Sequence, residues 1–386
     1  MIGSLLPSFP AVMRQHPCFD SGAHERTGRV HLPIAPRCNI HCRFCERVIC
    51  ASRCMQHPGW ARKLLTPSEA VALVRRLART HSTEPFVVGV AGPGEPLANA
   101  ETFEALRQVH QEFPALQKCV STNGLLLDKA MSRELIELGV DRLVVSLDGV
   151  RPETYASVRG AALSGVLQHI RDLNEAKREM GSLSPALGIE FVALRSNVGE
   201  LADLTGLASR LGATRVLVSN ILAYTDEMRS EILYGYEPRR PLDAGSWPVK
   251  AGAWVMWGTL DLPRMHWGAE RRCRFVQDRA TVIGWDGNIA PCYALSHSYS
   301  YLAIDGRRKQ VARYALGNVT QQSLLDAWTS EDYCRFRSEV RDFRFPSCPD
   351  CDLRETCDLR ERNEGCWGWN PSCADCLWAQ DIVRCP

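Results

Sequence analysis

Residues 38–45 read CNIHCRFC, which places thiols at Cys38, Cys42 and Cys45 with spacings of four and three. Three thiolates on one tight loop can share a soft metal centre, and no fourth thiol closes the set within the octet. Such a centre either keeps an open position or is completed from elsewhere. A zinc site would take Cys50, Cys54 or His41 as its fourth ligand. Of 17 cysteines, six lie between Cys18 and Cys54 and ten between Cys273 and Cys385, with Cys119 alone between them. An odd count in a long chain without an export signal weakens a disulfide framework and favours bound metal.

Composition narrows the partners. Lys and Arg number 46 against 44 Asp and Glu, a formal charge of +2, so no global field recruits nucleic acid or a membrane surface. The opening MIGSLLPSFPAVMRQ lacks both a basic leader and an unbroken apolar stretch, and is not read as a signal peptide. No run of about 20 apolar residues is present to span a bilayer. The expectation is a soluble, cytoplasmic protein of about two to three domains, with no nucleic-acid and no membrane partner.

The elements that must position the first loop read as repeating strands and helices. Residues 29–35, 85–91, 118–122, 141–147, 187–194 and 214–220 are short runs rich in Val, Ile and Leu, as buried parallel strands are. Helical patterns occupy 67–80, 100–113, 129–139, 164–180 and 198–212, the first with a capped start at Thr66, Pro67 and Glu69. This alternation predicts parallel pairing through right-handed crossovers, as an α/β open sheet or partial barrel. Chemistry then collects at the carboxyl ends of the strands. There lie CNIHCRFC, GPGEP (92–96), STNG (121–124), SLDG (146–149), Arg195 with Asn197, and Asn220. So many polar strand ends at one mouth mark an active site. Taken singly, GPGEP and SLDG are also ordinary turn chemistry.

Together and in this order, CxxxCxxC, GPGEP and SLDG resemble the radical S-adenosylmethionine (SAM) superfamily over about residues 29–222. The resemblance implies a partial (β/α)6 TIM-like barrel. Cys38, Cys42 and Cys45 would bind three irons of a [4Fe–4S] cluster, leaving an open iron site for SAM. It also places Gly92, Gly94 and Glu95 at the methionyl end of SAM, and Ser146 and Asp148 near its ribose and carboxylate.

The last third carries Cys273, Gly287 and Cys292, then Cys348, Cys351 and Cys357, an order that resembles the SPASM extension of many radical SAM enzymes. A β-hairpin is expected across 279–293, turning at Asp286-Gly287. After Cys357 the pattern departs, because the next cysteine, Cys366, comes after eight intervening residues rather than three. Cys334 sits in a helical pattern and reads as simple burial. The nine others suffice for two auxiliary [4Fe–4S] clusters with one spare; structural zinc fits the CxxC pairs by spacing equally well. The expected grouping is Cys348, Cys351 and Cys357 with Cys373 or Cys376, and Cys273 and Cys292 with Cys366; Cys385 is a further candidate ligand.

The expected domains are therefore an N-terminal arm (1–28), the barrel (29–222), a linker or lid (223–272) and the SPASM-like, Cys-rich domain (273–386). His16, Cys18 and His24 are either ligands of an accessory cluster or part of a folded arm. The N-terminal part is similar to the radical SAM protein that builds the nitrogenase cofactor precursor, and the tail resembles maturases of tungsten-cofactor oxidoreductases. These likenesses imply an enzyme acting on a protein or peptide substrate, a metalloenzyme among them, with an external reductant such as flavodoxin or ferredoxin. Modification of a ribosomal peptide, and a non-enzymatic iron–sulfur scaffold or electron carrier, are the alternatives.

Overall fold

The computed structural model describes residues 28–33, 38–45, 67–80, 87–91, 94–236, 258–268, 271–284, 286–346, 348, 351–366 and 368–385. His16, Cys18, His24, Cys50, Cys54, Thr66 and Gly92 lie outside them, as do residues 237–257 of the expected lid.

Strands β1 (Arg29–Pro33), β2 (Val87–Ala91), β3 (Gln117–Thr122), β4 (Arg142–Ser146), β5 (Ala186–Ala193) and β6 (Arg215–Asn220) fall on the six expected runs. Each pairs in parallel with the next. Helices α1 (Pro67–Thr80), α2 (Ala100–Glu112) and α3 (Lys129–Glu137) fill the first crossovers. A helix not expected from the sequence follows β4: α4 (Pro152–Arg159), with proline at its start, Glu153 in its first turn and Gly160 closing it at φ +69°. Helices α5 (Leu163–Glu179) and α6 (Leu201–Arg210) complete the set. Along α5 the buried residues Leu163, Val166, Ile170, Leu173 and Ala176 recur at helical spacing, so one stripe packs on the sheet.

Strand β5 shows how the sheet makes room for a site. Leu187, Ile189, Phe191 and Ala193 are buried on one face, while Ala186, Gly188, Glu190 and Val192 alternate on the other and are only partly covered. A side-chain period of two sends the first set toward the helices and the second into the barrel interior.

The sheet runs across the expected boundaries at both ends. β7 (Thr259–Asp261) pairs in parallel with β6, after the short α7 (Asp226–Ser230). Past α8 (Arg274–Gln277), β8 (Ala280–Ile283) pairs in parallel with β1, placing Ala280 opposite Arg29. β9 (Ile289–Ala290) turns back on β8. The hairpin turn forms where expected, with Gly287 at φ +79°. The result is a nine-stranded sheet in the order β7-β6-β5-β4-β3-β2-β1-β8-β9, consistent with a partial TIM-like barrel. Within 223–272 the described portion is packed: Trp267 is buried and stacks on Tyr236 with ring centroids 4.5 Å apart. β10 (Tyr299–Leu302) and β11 (Arg308–Val311) form a separate antiparallel pair, followed by α9 (Leu324–Trp328) and α10 (Glu331–Arg341). Cys334 is fully buried in α10. No helix among the described residues is long and apolar enough to cross a membrane.

Candidate active site and cysteine clusters

The 38–45 loop is anchored by a backbone bond from Arg43 N to Val158 O at 3.0 Å, which brings α4 beneath it. Arg159, the last residue of α4, then places a guanidinium nitrogen 3.4 Å from the Cys42 sulfur. Its Nε lies 2.5 Å from Asp148 Oδ2, and its cation sits 5.5 Å from the centre of the Phe44 ring. Asp148 is fully buried, and its other oxygen accepts from Val192 N at 2.7 Å. Burial pushes the Asp148 carboxyl and the Cys42 thiol up, and Arg159 opposes both. Burial also works against the Arg159 charge, but Asp148 and Cys42 outweigh it and hold the guanidinium above its usual range. A fixed cation thus stands beside the three thiols.

Glu95, 2% exposed, ties the second strand end to the third. Its Oε1 accepts from Leu97 N at 3.0 Å and from Thr122 Oγ1 at 2.6 Å, and its Oε2 from Asn123 N at 2.7 Å. Burial raises the carboxyl, and these three donors hold it down. Asn123 passes the order on: its Nδ2 donates to Asn39 Oδ1 at 2.8 Å and lies 4.0 Å from Cys38 Sγ. Asn197 is a brace, its Nδ2 donating to Asp148 O at 3.0 Å and Val192 O at 2.9 Å. Arg195 likewise bonds Ser230 O and Ile232 O.

Several of these groups border a cavity of about 410 Å³, which Arg195 and Asn197 do not line. Cys38, Cys42, Cys45, Gly94, Glu95 and Ser146 all line it, and Asp148 reaches it only through Arg159. Glu190 lines it too, 3.4 Å from Ser146 Oγ, its carboxyl raised to about 7 by burial and the nearby Asp148. Arg159 and Glu190 are not among the site residues expected from sequence. The signals were an Arg-Gly helix end after SLDG, and an acid at inward parity within an apolar strand. Three thiols from one loop, facing this space beside a buried cation, fit a [4Fe–4S] cluster with one iron left to a small molecule.

In the C-terminal third, Cys273, Cys292, Cys373 and Cys376 lie close enough to perturb one another's ionisation. Burial pushes Cys273 up to about 12 and raises the other three, Cys292 and Cys373 the most. Cys273 and Cys292 each stand just before a short helical turn without a cap hydrogen bond to the sulfur, and the nearby N–H groups of Phe275 and Val276, and of Ala294 and Leu295, pull the thiols down against burial; those of Trp378 and Ala379 do the same for Cys376. Buried thiols near backbone donors fit a polynuclear iron–sulfur centre, which neutralises the thiolate charge.

Cys348, Cys357 and Cys366 form a second group by the same measure, with Cys351 one turn from Cys348 through Cys351 N to Cys348 O at 3.3 Å. The buried ion pair of Lys309 and Asp375 is felt by thiols of both groups. This differs from the expected grouping: Cys366 joins the second set, and Cys373 and Cys376 both join the first. The chain reverses after Cys366, with Gly368 at φ +82° and Ser372 N bonded to Asn363 O at 2.7 Å, which returns 373–376 toward Cys273. Among the described residues no three His, Cys, Asp or Glu groups converge as ligands of a single metal ion do, so both groupings rest on shared surroundings and mutual electrostatics. Cys385 joins neither set and lines the barrel cavity.

Residues 32–190 match the radical SAM superfamily, and residues 273–352 match SPASM, an iron–sulfur cluster-binding domain. Over 360 residues the chain is 34% identical to the tungsten-containing aldehyde ferredoxin oxidoreductase cofactor-modifying protein of Pyrococcus furiosus, covering 92% of this chain and 96% of that one. Over 153 residues it is 40% identical to the FeMo cofactor biosynthesis protein NifB of Methanocaldococcus infernus, covering 40% of this chain and half of that protein. The fold is similar to Streptococcus suis SuiB bound to S-adenosylmethionine, with a TM-score of 0.58, 16% identity, and coverage of 89% of this chain and 76% of SuiB. SuiB bound to the precursor peptide SuiA aligns with a TM-score of 0.56 and 15% identity, over 88% of this chain and 73% of that one.

Proposed function

Because the chain belongs to the radical SAM superfamily and carries its SPASM extension, we propose that it cleaves SAM reductively at the barrel mouth to mature a metalloenzyme or its cofactor. It is an enzyme whose cofactors are a [4Fe–4S] cluster, SAM and auxiliary iron–sulfur clusters. When bound, the first cluster supplies the electron that breaks a carbon–sulfur bond of SAM, releasing methionine and a 5′-deoxyadenosyl radical.

In this reading Cys38, Cys42 and Cys45 hold three irons, and the observation that carries it is their placement on one loop facing the 410 Å³ cavity. Arg159 offsets negative charge beside Cys42, and Asp148 orients Arg159. Gly94 lets backbone approach the ligand, Glu95 fixes the two loops that frame it, and Ser146 offers a hydroxyl from the next strand. Each C-terminal set of four thiols holds an auxiliary cluster. A low-potential donor such as ferredoxin or flavodoxin provides electrons. The maturation target is favoured by the 34% identity to a cofactor-modifying protein over nearly the whole chain. A ribosomal peptide is the second reading, favoured by the likeness in fold to SuiB, which has been solved with a precursor peptide.

The test is anaerobic reconstitution followed by SAM and dithionite. Formation of 5′-deoxyadenosine and methionine is expected, rising when the apo-form of a cofactor-dependent oxidoreductase is added. Tight SAM binding by the intact cluster without cleavage would instead make the protein an electron carrier or scaffold. Stimulation by a short precursor peptide, and not by the oxidoreductase, would favour the second reading.

A further inference from the structure

Eight of the nine C-terminal thiols outside α10 fall into two sets of four, and Cys385 is the ninth. Cys385 lines the barrel cavity together with Glu190 and Tyr293, close enough for the Glu190 charge to act on its thiol and for the thiol to act on the Tyr293 hydroxyl. Trp378 Nε1 donates to the sulfur at 3.2 Å, which occupies a sulfur lone pair and leaves the S–H free to point elsewhere.

The position of this thiol is set by the barrel. Arg384 N donates to Ser219 Oγ at 2.9 Å, and the backbone and side-chain nitrogens of Asn220 donate to Ile382 O at 3.3 and 3.0 Å. Two polar atoms of the same cavity wall are spare. Asn220 is 2% exposed with an Oδ1 that has no hydrogen-bond partner, and the buried Tyr293 hydroxyl has none either. Buried polar groups are ordinarily satisfied, so an unused amide oxygen and phenol beside a carboxyl and a thiol mark a wall built to meet a ligand. Burial, against the Trp378 bond, pushes the Cys385 thiol up to about 12, and the sulfur keeps its hydrogen at neutral pH.

Building on the radical SAM reading, we propose that Cys385 is a cavity-facing hydrogen-atom donor to a carbon radical formed in the barrel, and not a cluster ligand. An S–H bond is weaker than an aliphatic C–H bond, so the transfer runs downhill. One S–H bond breaks and one C–H bond forms, each with single electrons, leaving a thiyl sulfur and moving no net charge. The low-potential reductant that drives SAM cleavage returns one electron to that sulfur. Glu190 supplies the accompanying proton and regains one from solvent.

The test uses the full-length reconstituted protein, freed of small thiols, with SAM and dithionite in D2O. The S–H exchanges to S–D, so abortive turnover yields 5′-deoxyadenosine carrying one deuterium. Cys385→Ser keeps the size but presents an O–H bond too strong to donate. It should lower the deuterium content at least tenfold, with iron per chain and the visible absorption of the clusters unchanged. Unlabelled 5′-deoxyadenosine from the unaltered protein, or loss of a cluster's iron in Cys385→Ser, would each overturn the proposal. No 5′-deoxyadenosine from any form would overturn the radical SAM reading and the proposal with it. Unlabelled product and the absence of product separate the two failures.

Discussion

The loop at Cys38, Cys42 and Cys45 and the set of Cys273, Cys292, Cys373 and Cys376 use one side chain in opposite surroundings. The first presents its sulfurs to a 410 Å³ cavity, with the Arg159 guanidinium beside Cys42. The second sets its sulfurs deep enough for burial to raise all four thiols, with backbone N–H groups of short turns near three of them. The difference teaches that thiol identity does not decide whether a centre reacts or relays. What decides is whether the backbone closes around the sulfurs or leaves them facing open space.

The largest effect that could break this contrast is at the open site. Cys42→Ala should abolish 5′-deoxyadenosine formation and remove one cluster's iron, about four atoms per chain, while leaving the enclosed sets loaded. Iron analysis with Mössbauer spectroscopy decides it; loss of all iron would mean that the sites are not independent. At the enclosed sets, Cys273→Ala and Cys373→Ala should each cost one cluster, and the double variant no more than either. Cys273→Ala with Cys366→Ala should cost two. The opposite pattern would restore the grouping expected from sequence.

Next in size is Arg159→Ala, which strands the buried Asp148 carboxylate. A loss of about 3–5 kcal/mol in a urea titration is expected, with part recovered by Asp148→Asn in the same chain. The smallest effect concerns Glu190. Folding lifts its carboxyl from the ordinary 4.5 to about 7, so between those values the folded state binds more protons than the unfolded one. Stability from this group is full below pH 4.5 and is lost as pH rises toward 7, by on the order of 3 kcal/mol. Glu190→Gln should flatten that slope in denaturation curves taken across this range.

The parts of this molecule that sequence made legible are local. Periodicity located six strands and five helices, spacing located the three-thiol loop, and Asp286-Gly287 located a turn. Helix α4 escaped because it is one short element after a turn-like SLDG, with only Tyr155, Val158 and Arg159 buried. Arg159 escaped with it. Glu190 was hidden by apolar neighbours in β5, where its parity matters and its composition does not. The thiol groupings depend on a chain reversal after Cys366, and the place of Cys385 depends on contacts with Ser219 and Asn220 that are more than 160 residues away in sequence.

Strand β1 is hydrogen-bonded on one side to β2 and on the other to β8, its partner some 250 residues later. A fragment ending before residue 273 would bare the full edge of β1, a row of unpaired N–H and C=O groups flanked by apolar side chains. Such an excised barrel should aggregate through that edge, so the catalytic half cannot be swapped between scaffolds as a cassette. Any shuffling of this enzyme with its relatives must carry β8 along with the strands it completes.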